Sequence, residues 1–436
     1  MTTANRRQFL KQTSTLIAGA ALGMGGSRAA GANERIVLGV IGPGGQGSSL
    51  LSSFAAQKDT EVAYVCDVDS NRTSAAAQAV EKATGKAPKS VKDMRAIFDD
   101  RAVDAVIIAT PDHWHAPATI LACDAGKHVY VEKPCSHNIR EGRLMVEAAR
   151  RNNRVVQVGT QSRSADYVRR AMELLHGGAI GEVLVAKVWN SQLRANIGHA
   201  RPSDPPANLD FDLWVGPAPM VPYQSNLLPS IWRWWYAFGA GDIGNDGVHD
   251  IDLGRWGLGV ETHPTTITAL GGKYFFDDDQ QFPDTQTVIF EYTGAGTRGK
   301  KQLIYEQRIW SPYVQEGYEN GNAFYGTKGM LILGKHSGWQ LFGPRNAPGE
   351  KASGQLDGAP HHRDFLDCIR SGRRPNADIE IGHLSTSLAH LGNIATRVGR
   401  VLHFEPKTEQ FAGDEEASRL LRRTYREGHW AVPKGV

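Results

Sequence analysis

Cysteine is scarce: Cys66, Cys123, Cys135 and Cys368 are the 4 in 436 residues. None is paired at metal-like spacing, so neither a zinc ribbon nor a disulfide framework organises the fold. Long apolar runs are scarce too. Leu16 to Met24 is only mildly apolar, too short and glycine-rich to span a bilayer stably, and no other segment is apolar enough. There is no internal repeat and no low-complexity segment, which excludes solenoids and repetitive tails. Excess charge is also missing. The formal +3 comes from Arg6, Arg7, Lys11 and Arg28, which share residues 1–32 with no acid. Setting those four aside leaves 45 basic against 46 acidic residues. No nucleic-acid footprint is implied.

What is present is ordinary globular composition, 41% hydrophobic and 22% charged, in a chain long enough for two domains. Residues 1–32 read as an export signal. Asn5-Arg6-Arg7-Gln8-Phe9-Leu10-Lys11 is a twin-arginine pattern, the mild apolar run follows, and Ala30-Gly31-Ala32 is an A-x-A cleavage site. The expected mature chain starts near Asn33, lies in the periplasm and has no membrane segment after signal removal.

The most informative stretch is Ile36 to Gly47. A continuous apolar run, Ile36 to Ile41, suits a parallel strand covered on both faces. Gly42-x-Gly44-x-x-Gly47 follows, then Ser48 to Phe54 at helical spacing. The first glycine permits a tight turn, the second a close backbone approach to a pyrophosphate, the third close helix–strand packing. The helix N-terminus offers N–H groups and a positive dipole end. A second strand, Val62 to Cys66, ends in Asp67, whose carboxylate suits both ribose hydroxyls. The expected cofactor is NAD, held by Gly42, Gly44, Gly45, Gln46, Gly47 and Asp67. NADP is disfavoured because Asp67 would repel a 2′-phosphate. Arg72, the nearest basic residue, is expected on the next helix.

Strands and helices then alternate with short links. Ala105–Thr110 and His128–Val131 are strands, and Thr110-Pro111-Asp112-His113-Trp114-His115 and Glu132-Lys133-Pro134 follow them. This predicts a doubly wound parallel sheet whose ligand sits beyond the strand ends. Thr110, Pro111, His113, Trp114, His115, Glu132 and Lys133 therefore join the expected cofactor crevice. From Ala165 the pattern changes. A long irregular stretch, 194–240, precedes a helix over 245–258, alternating strands between 265 and 333, and helices over 361–371 and 382–397. The expected division is 1–32 signal, 33–160 Rossmann domain, and 161–436 a second α/β domain on a mainly antiparallel sheet with one covered face. Asp277-Asp278-Asp279 reads as a solvated turn.

The order of fingerprint, strand-end Asp67, Ala-Thr-Pro-x-x-x-His, Glu132-Lys133-Pro134 and a mixed-sheet domain resembles the Gfo/Idh/MocA oxidoreductase family. Trp232-Arg233-Trp234, the stretch Gly241 to His249, and Gly382-His383-Leu384-Ser385 look like its exported, carbohydrate-associated branch. The resemblance implies a Rossmann domain, an open-faced second sheet, redox chemistry at a sugar or polyol carbon, a cis bond before Pro134, and a homo-oligomer, dimer or tetramer.

The residue types fit that chemistry independently. Oxidising a secondary alcohol needs a hydride acceptor and a base for the hydroxyl proton. Lys133 at a strand end suits holding the reacting hydroxyl, and His249 suits a base near neutral pH. Asn245 stands four residues before His249, where the family pattern usually has Asp, with Asp246 beside it. Substrate contacts are expected from Lys133, Arg163, Arg194, Trp232, Arg233, Asn245, Asp246 and His249, since indole faces suit pyranose rings and guanidinium suits hydroxyls or carboxylates. Asp246, His249 and Asp250, and the pair His361-His362, are metal-ligand types in short spans; without a third ligand at firm spacing no metal is assigned. The reading is an NAD-dependent oxidoreductase acting on a small carbohydrate with a tightly bound cofactor. Two alternatives stay open: a redox-neutral glycoside hydrolase or lyase, for which Asp246 and His113 are the acid/base candidates, and a sugar sensor with a vestigial cofactor site.

Overall fold

A computed structural model describes residues 35–436; the expected signal segment lies outside the described residues. Six parallel strands form the first sheet: β1 Ile36–Ile41, β2 Thr60–Cys66, β3 Lys89–Val91, β4 Ala105–Ile108, β5 His128–Val131 and β6 Val156–Val158, in the order β3-β2-β1-β4-β5-β6. Their apolar runs are buried on both faces. On one face Val106, Ile108 and Val129 pack against helices Asp112–Asp124 and Ile139–Arg151. On the other, Leu38, Val40 and Tyr130 meet Leu50 and Phe54 of helix Gly45–Ala55. That second face is completed from far along the chain, by Phe365, Leu366 and Cys368 of helix Ala359–Ser371. The boundary near 160 therefore separates the sheets, not the packing. All four cysteines are free and buried.

The second sheet has ten strands: β7 Val183–Ser191, β8 Thr266–Gly272, β9 Thr285–Thr293, β10 Lys300–Arg308, β11 Asn320–Gly326, β12 Met330–Gly334, β13 Gly338–Phe342, β14 Pro348–Ala352, β15 Leu402–Glu405 and β16 Gln410–Phe411. Its order is β14-β13-β12-β11-β7-β10-β9-β8-β15-β16. Every pairing is antiparallel except β7 with β10. Ile251 and Leu253 of helix Val248–Leu258, and Leu388 and Leu391 of helix Ile379–Val398, cover Val188, Phe290, Leu303 and Phe324 on one face.

Three local features go beyond the sequence pattern. The helix after β4 starts at Asp112, so the strand-end residues form its first turn. It tolerates Pro117 because the carbonyl of His113, left without an N–H partner by that proline, accepts instead from Arg423 Nη2 at 2.8 Å. The helix expected from Asn245 begins with a π turn, Ile243–Gly247. Asp277-Asp278-Asp279 is not simply solvated. Asp278 is buried and pairs with Lys273 at 3.1 Å, while Asp279 accepts from Ala200 N–H and Asn226, pinning the irregular stretch.

Candidate functional site

β1 ends in a tight turn. Gly42 has φ +80, and a Cβ there would lie 2.8 Å from the Thr110 nitrogen; a Cβ on Gly47 would lie 2.1 Å from the Gly42 oxygen. Only glycine permits either approach. Gly45 faces open space, and among the described residues no side chain caps the helix it starts. Its first N–H groups and dipole are left to meet an anion, and the loop fits a pyrophosphate. At the end of β2 the Asp67 carboxylate accepts from Asp69 N–H at 2.9 Å. Burial pushes its pKa up to about 6, against the pull of that N–H and of Arg72. Arg72 lies on the next helix, as expected, yet its guanidinium returns to the loop: a Cβ on Gly44 would meet it at 2.9 Å. Gly42 and Gly47 thus shape the turn, while Gly44, Gly45, Gln46 and Arg72 line the main crevice. Asp67 lines neighbouring cavities beside it.

That crevice has a volume of about 750 Å³ and also receives Thr110, Pro111, His115, Glu132, Lys133, Trp232, Arg233, Asn245 and His249. Glu132 is buried; its carboxylate accepts from Gln46 at 3.2 Å and Gln161 at 3.3 Å, and burial raises its pKa. The Lys133–Pro134 bond is cis. Lys133 Nζ donates to the Asn245 carbonyl at 2.7 Å and approaches its Oδ1 at 3.5 Å. Burial lowers the lysine pKa; Glu132 opposes that shift and Arg233 adds to it. Asn245 Oδ1 accepts from Arg233 Nε at 2.9 Å, and its Nδ2 donates to Asp242 at 3.1 Å. The π turn therefore gathers Lys133 and Arg233 onto Asn245 instead of pairing Asn245 with His249. Burial first, then Lys335 and Lys133, hold the His249 pKa well below its ordinary value, so the ring is neutral at neutral pH. Asn245 gives it no carboxylate orienter.

Other expected contacts are placed differently. Asp246 does not line the crevice: its oxygens take Lys335 Nζ at 2.6 Å, Gln192 at 2.6 Å and Arg194 at 3.4 Å. Arg194 also braces Asp242 at 2.9 Å and stays outside the crevice. Arg163 does not line the crevice. It forms a buried fork on Asp252, at 2.7 and 2.8 Å, and lies over Trp256. His113 and Trp114 turn away from the main crevice, both reaching the Trp214 carbonyl, at 2.9 and 3.0 Å. His115 is braced between the carbonyls of Pro134, at 2.7 Å, and Thr110, at 2.8 Å. Of the aromatic cluster, Trp232 lies under the Arg233 guanidinium at 4.3 Å and lines the crevice, whereas Trp234 packs with Phe276 and Ile309.

Asp246, His249 and Asp250 do not converge on a metal. Among the described residues the convergent set is His263, His383 and Glu409, and there Arg143 already donates to the same carboxylate oxygen at 2.6 Å. The crevice residues that escaped the sequence reading include Asp112, Trp214, Lys335 and His336. Burial pushes the Asp112 carboxyl up to about 7, against Arg233 and Lys133. It stood inside the strand-end stretch already singled out, so position could have found it. Nothing local marks Lys335, on the turn after β12, as a neighbour of His249.

Residues 36–160 match the oxidoreductase family with NAD-binding Rossmann fold, and residues 188–289 and 349–432 match the C-terminal alpha/beta domain of that oxidoreductase family. Inositol 2-dehydrogenase 2 of Saccharopolyspora erythraea is 29% identical over 339 residues, 77% of this chain and 81% of that protein. A glycosyl hydrolase family 109 protein of the same organism is 32% identical over 158 residues, 35% of this chain; the match spans only 34% of that relative. Levoglucosan dehydrogenase in complex with NADH and levoglucosan has a similar fold, with a TM-score of 0.66 at 18% identity, over 85% of this chain and 99% of that one.

Proposed function

The chain belongs to the Gfo/Idh/MocA oxidoreductase family, and from that premise we propose that it transfers hydride between a hydroxyl-bearing carbon of a sugar, glycoside or polyol and a tightly held NAD. One observation carries the reading: a single crevice holds the glycine loop at one end and Lys133, Asn245, His249 and Trp232 at the other. The Gly42–Gly47 loop, the helix start behind it and Asp67 would hold NAD, whose nicotinamide supplies the hydride acceptor when bound. Lys133 donates to the substrate hydroxyl and fixes the reacting carbon. The neutral His249 ring accepts the hydroxyl proton. The half-buried Arg233, held by Asn245, presents its guanidinium to the other hydroxyls, and Trp232 offers an apolar face to the ring. The charge of Asp67 favours NAD over NADP.

Asp112 favours a second reading, the redox-neutral hydrolase or lyase. That reaction needs an extra acid/base. Asp246 is tied to Lys335 and His113 is turned to Trp214, but Asp112 lines the crevice with a carboxyl pushed up to about 7. A GH109 relative matching part of the chain points the same way. Vestigial binding is disfavoured by the presence of Lys133 and His249 beside an open glycine loop.

Arg6-Arg7 and Ala30-Gly31-Ala32 support export of the folded, loaded protein to the periplasm. Replacing both arginines by lysine should leave it in the cytoplasm. Among the described residues no helix is long and apolar enough to cross a membrane.

The deciding experiment uses protein exported through its own signal. Denatured protein is assayed by mass for released dinucleotide, and native protein is mixed with a panel of sugars, polyols and glycosides while reduced nicotinamide is followed by absorbance. One equivalent of reduction without bond cleavage supports the dehydrogenase. Aglycone released over many turnovers, with NAD left oxidised, supports the second reading and removes the first. Neither response, with full sugar affinity in cofactor-free protein, leaves the sensor.

A further inference from the structure

The irregular stretch between β7 and the π turn crosses from the second sheet to the strand ends of the first. Ser70 N–H donates to the Asn208 carbonyl at 3.0 Å, and Asn208 Nδ2 donates to Asp69 at 2.7 Å. Leu209 bridges Asp69 as a one-residue antiparallel strand, and Asp210 N–H donates to the Val68 carbonyl at 2.9 Å. Lys92 Nζ reaches Asp210 at 2.8 Å. The chain next forms the short helix Phe211–Val215, whose start is capped by Asp210 Oδ1 accepting from Leu213 N–H at 3.1 Å. The Trp214 carbonyl is then taken by His113 and Trp114 from the strand-end helix after β4. The chain leaves through Gly216, at φ +55, where a Cβ would lie 2.1 Å from the Trp114 ring.

One segment is thus latched to the ends of β2, β3 and β4 together. Those ends belong to the half of the crevice that must take the adenosine, because Asp67 closes β2 and the glycine loop closes β1. Trp214, buried against Phe211 and Phe238, lines the cavity around Gly42 and Asp67 and also lines the main crevice. It stands where the two spaces join. His113 and Trp114 find their role here: they hold this segment down.

We infer that residues 205–216 form the outer wall of the adenosine site and make the dinucleotide a resident group that leaves only when this segment unlatches. The inference rests on the NAD reading above and adds a cause for tight retention that the glycine fingerprint alone does not contain. It also suits a reaction cycle that regenerates the cofactor in place.

The test is the release rate of the dinucleotide, not turnover. Protein loaded with NADH is mixed with excess unlabelled NAD, and loss of bound-NADH fluorescence is followed. Wild type should keep its nucleotide through dialysis and release it slowly. Lys92→Ala with Asn208→Ala removes two latches, and should release NADH about tenfold faster, as expected for two lost hydrogen bonds, both to carboxylates. Lys92→Ala alone, on a largely exposed amine, should give a smaller change of the same sign and guards against misfolding of the pair. Equal release rates in wild type and both variants would overturn the inference while leaving NAD binding intact. Protein that neither carries nor takes up NAD would overturn the inference together with the reading beneath it.

Discussion

Lys133 holds its amine 2.7 Å from the Asn245 carbonyl, in a crevice whose burial lowers its pKa, and beside a neutral His249. On the proposed reading both groups handle one hydroxyl proton, so each should matter to turnover more than to binding of the cofactor. Lys133→Met and His249→Asn should each reduce turnover by about 10²- to 10⁴-fold, with the dinucleotide content after purification unchanged. Loss of the dinucleotide in either variant would instead assign that side chain to cofactor binding. Asp67 carries a second residue-scale consequence. Its pKa is raised to about 6, so the carboxylate is charged above that pH and progressively neutral below it. Repulsion of a 2′-phosphate therefore weakens on acidification. Discrimination for NAD over NADP, measured as a ratio of dissociation constants, should shrink by about tenfold between pH 8 and pH 5. The 2′-phosphate also titrates near 6, but that slope persists in Asp67→Asn, so the difference between the two curves belongs to Asp67.

Elements far apart in sequence are joined by a few buried charges. Glu409, at φ +55 just before β16, accepts on one oxygen from His263, at 2.8 Å, His383 of helix Ile379–Val398, at 2.8 Å, and Arg143 of helix Ile139–Arg151, at 2.6 Å. Burial alone would raise its pKa; the hydrogen bonds from the two histidines and Arg143 outweigh that and hold it well below the ordinary 4.5. A depressed carboxylate contributes stability above its unfolded pKa and loses it as pH falls below that value. Glu409→Gln should lower stability by about 2–3 kcal/mol at pH 7, and the gap to wild type should narrow steadily below about pH 4.5, as read from urea melts across pH. A constant gap would mean that the charge of Glu409 is not what joins these helices. The same distinction separates what was readable in the chain from what was not. β1, the glycine turn and Asp67 were legible because their signals are local: an apolar run, a spacing, a strand end. Lys133 and His249 were legible by position on such elements. The pairing of Arg163 was not legible, because its partner Asp252 is 89 residues away and only tertiary packing selects it. β14 was missed because its residues are almost all exposed and carry no apolar alternation. The Trp214 carbonyl that claims His113 leaves no trace in sequence at all.

At the scale of the whole molecule, helices among the described residues cover the ten-stranded sheet on one face only. Ile267 and Phe324 are fully buried beneath those helices, and side chains alternate along a strand. Leu270 and Tyr325 therefore point to the opposite face, and they are 76% and 40% exposed. Around them Ile289 and Ile304 are half-buried, so the face is apolar in the middle with Glu291 and Glu306 interspersed. A broad, partly apolar sheet surface in water favours association. A second copy of the chain is the partner that needs no further assumption, and a two-fold arrangement would place the same strands from each copy against one another. Sedimentation velocity at micromolar concentration should then report a dimer or tetramer, and Leu270→Glu with Tyr325→Glu should shift it to monomer by placing like charges across the axis. Because neither residue lines the crevice, the dinucleotide content of the variant should be unchanged. A wild-type protein that sediments as a monomer over the whole range would remove the sheet face as a self-association surface.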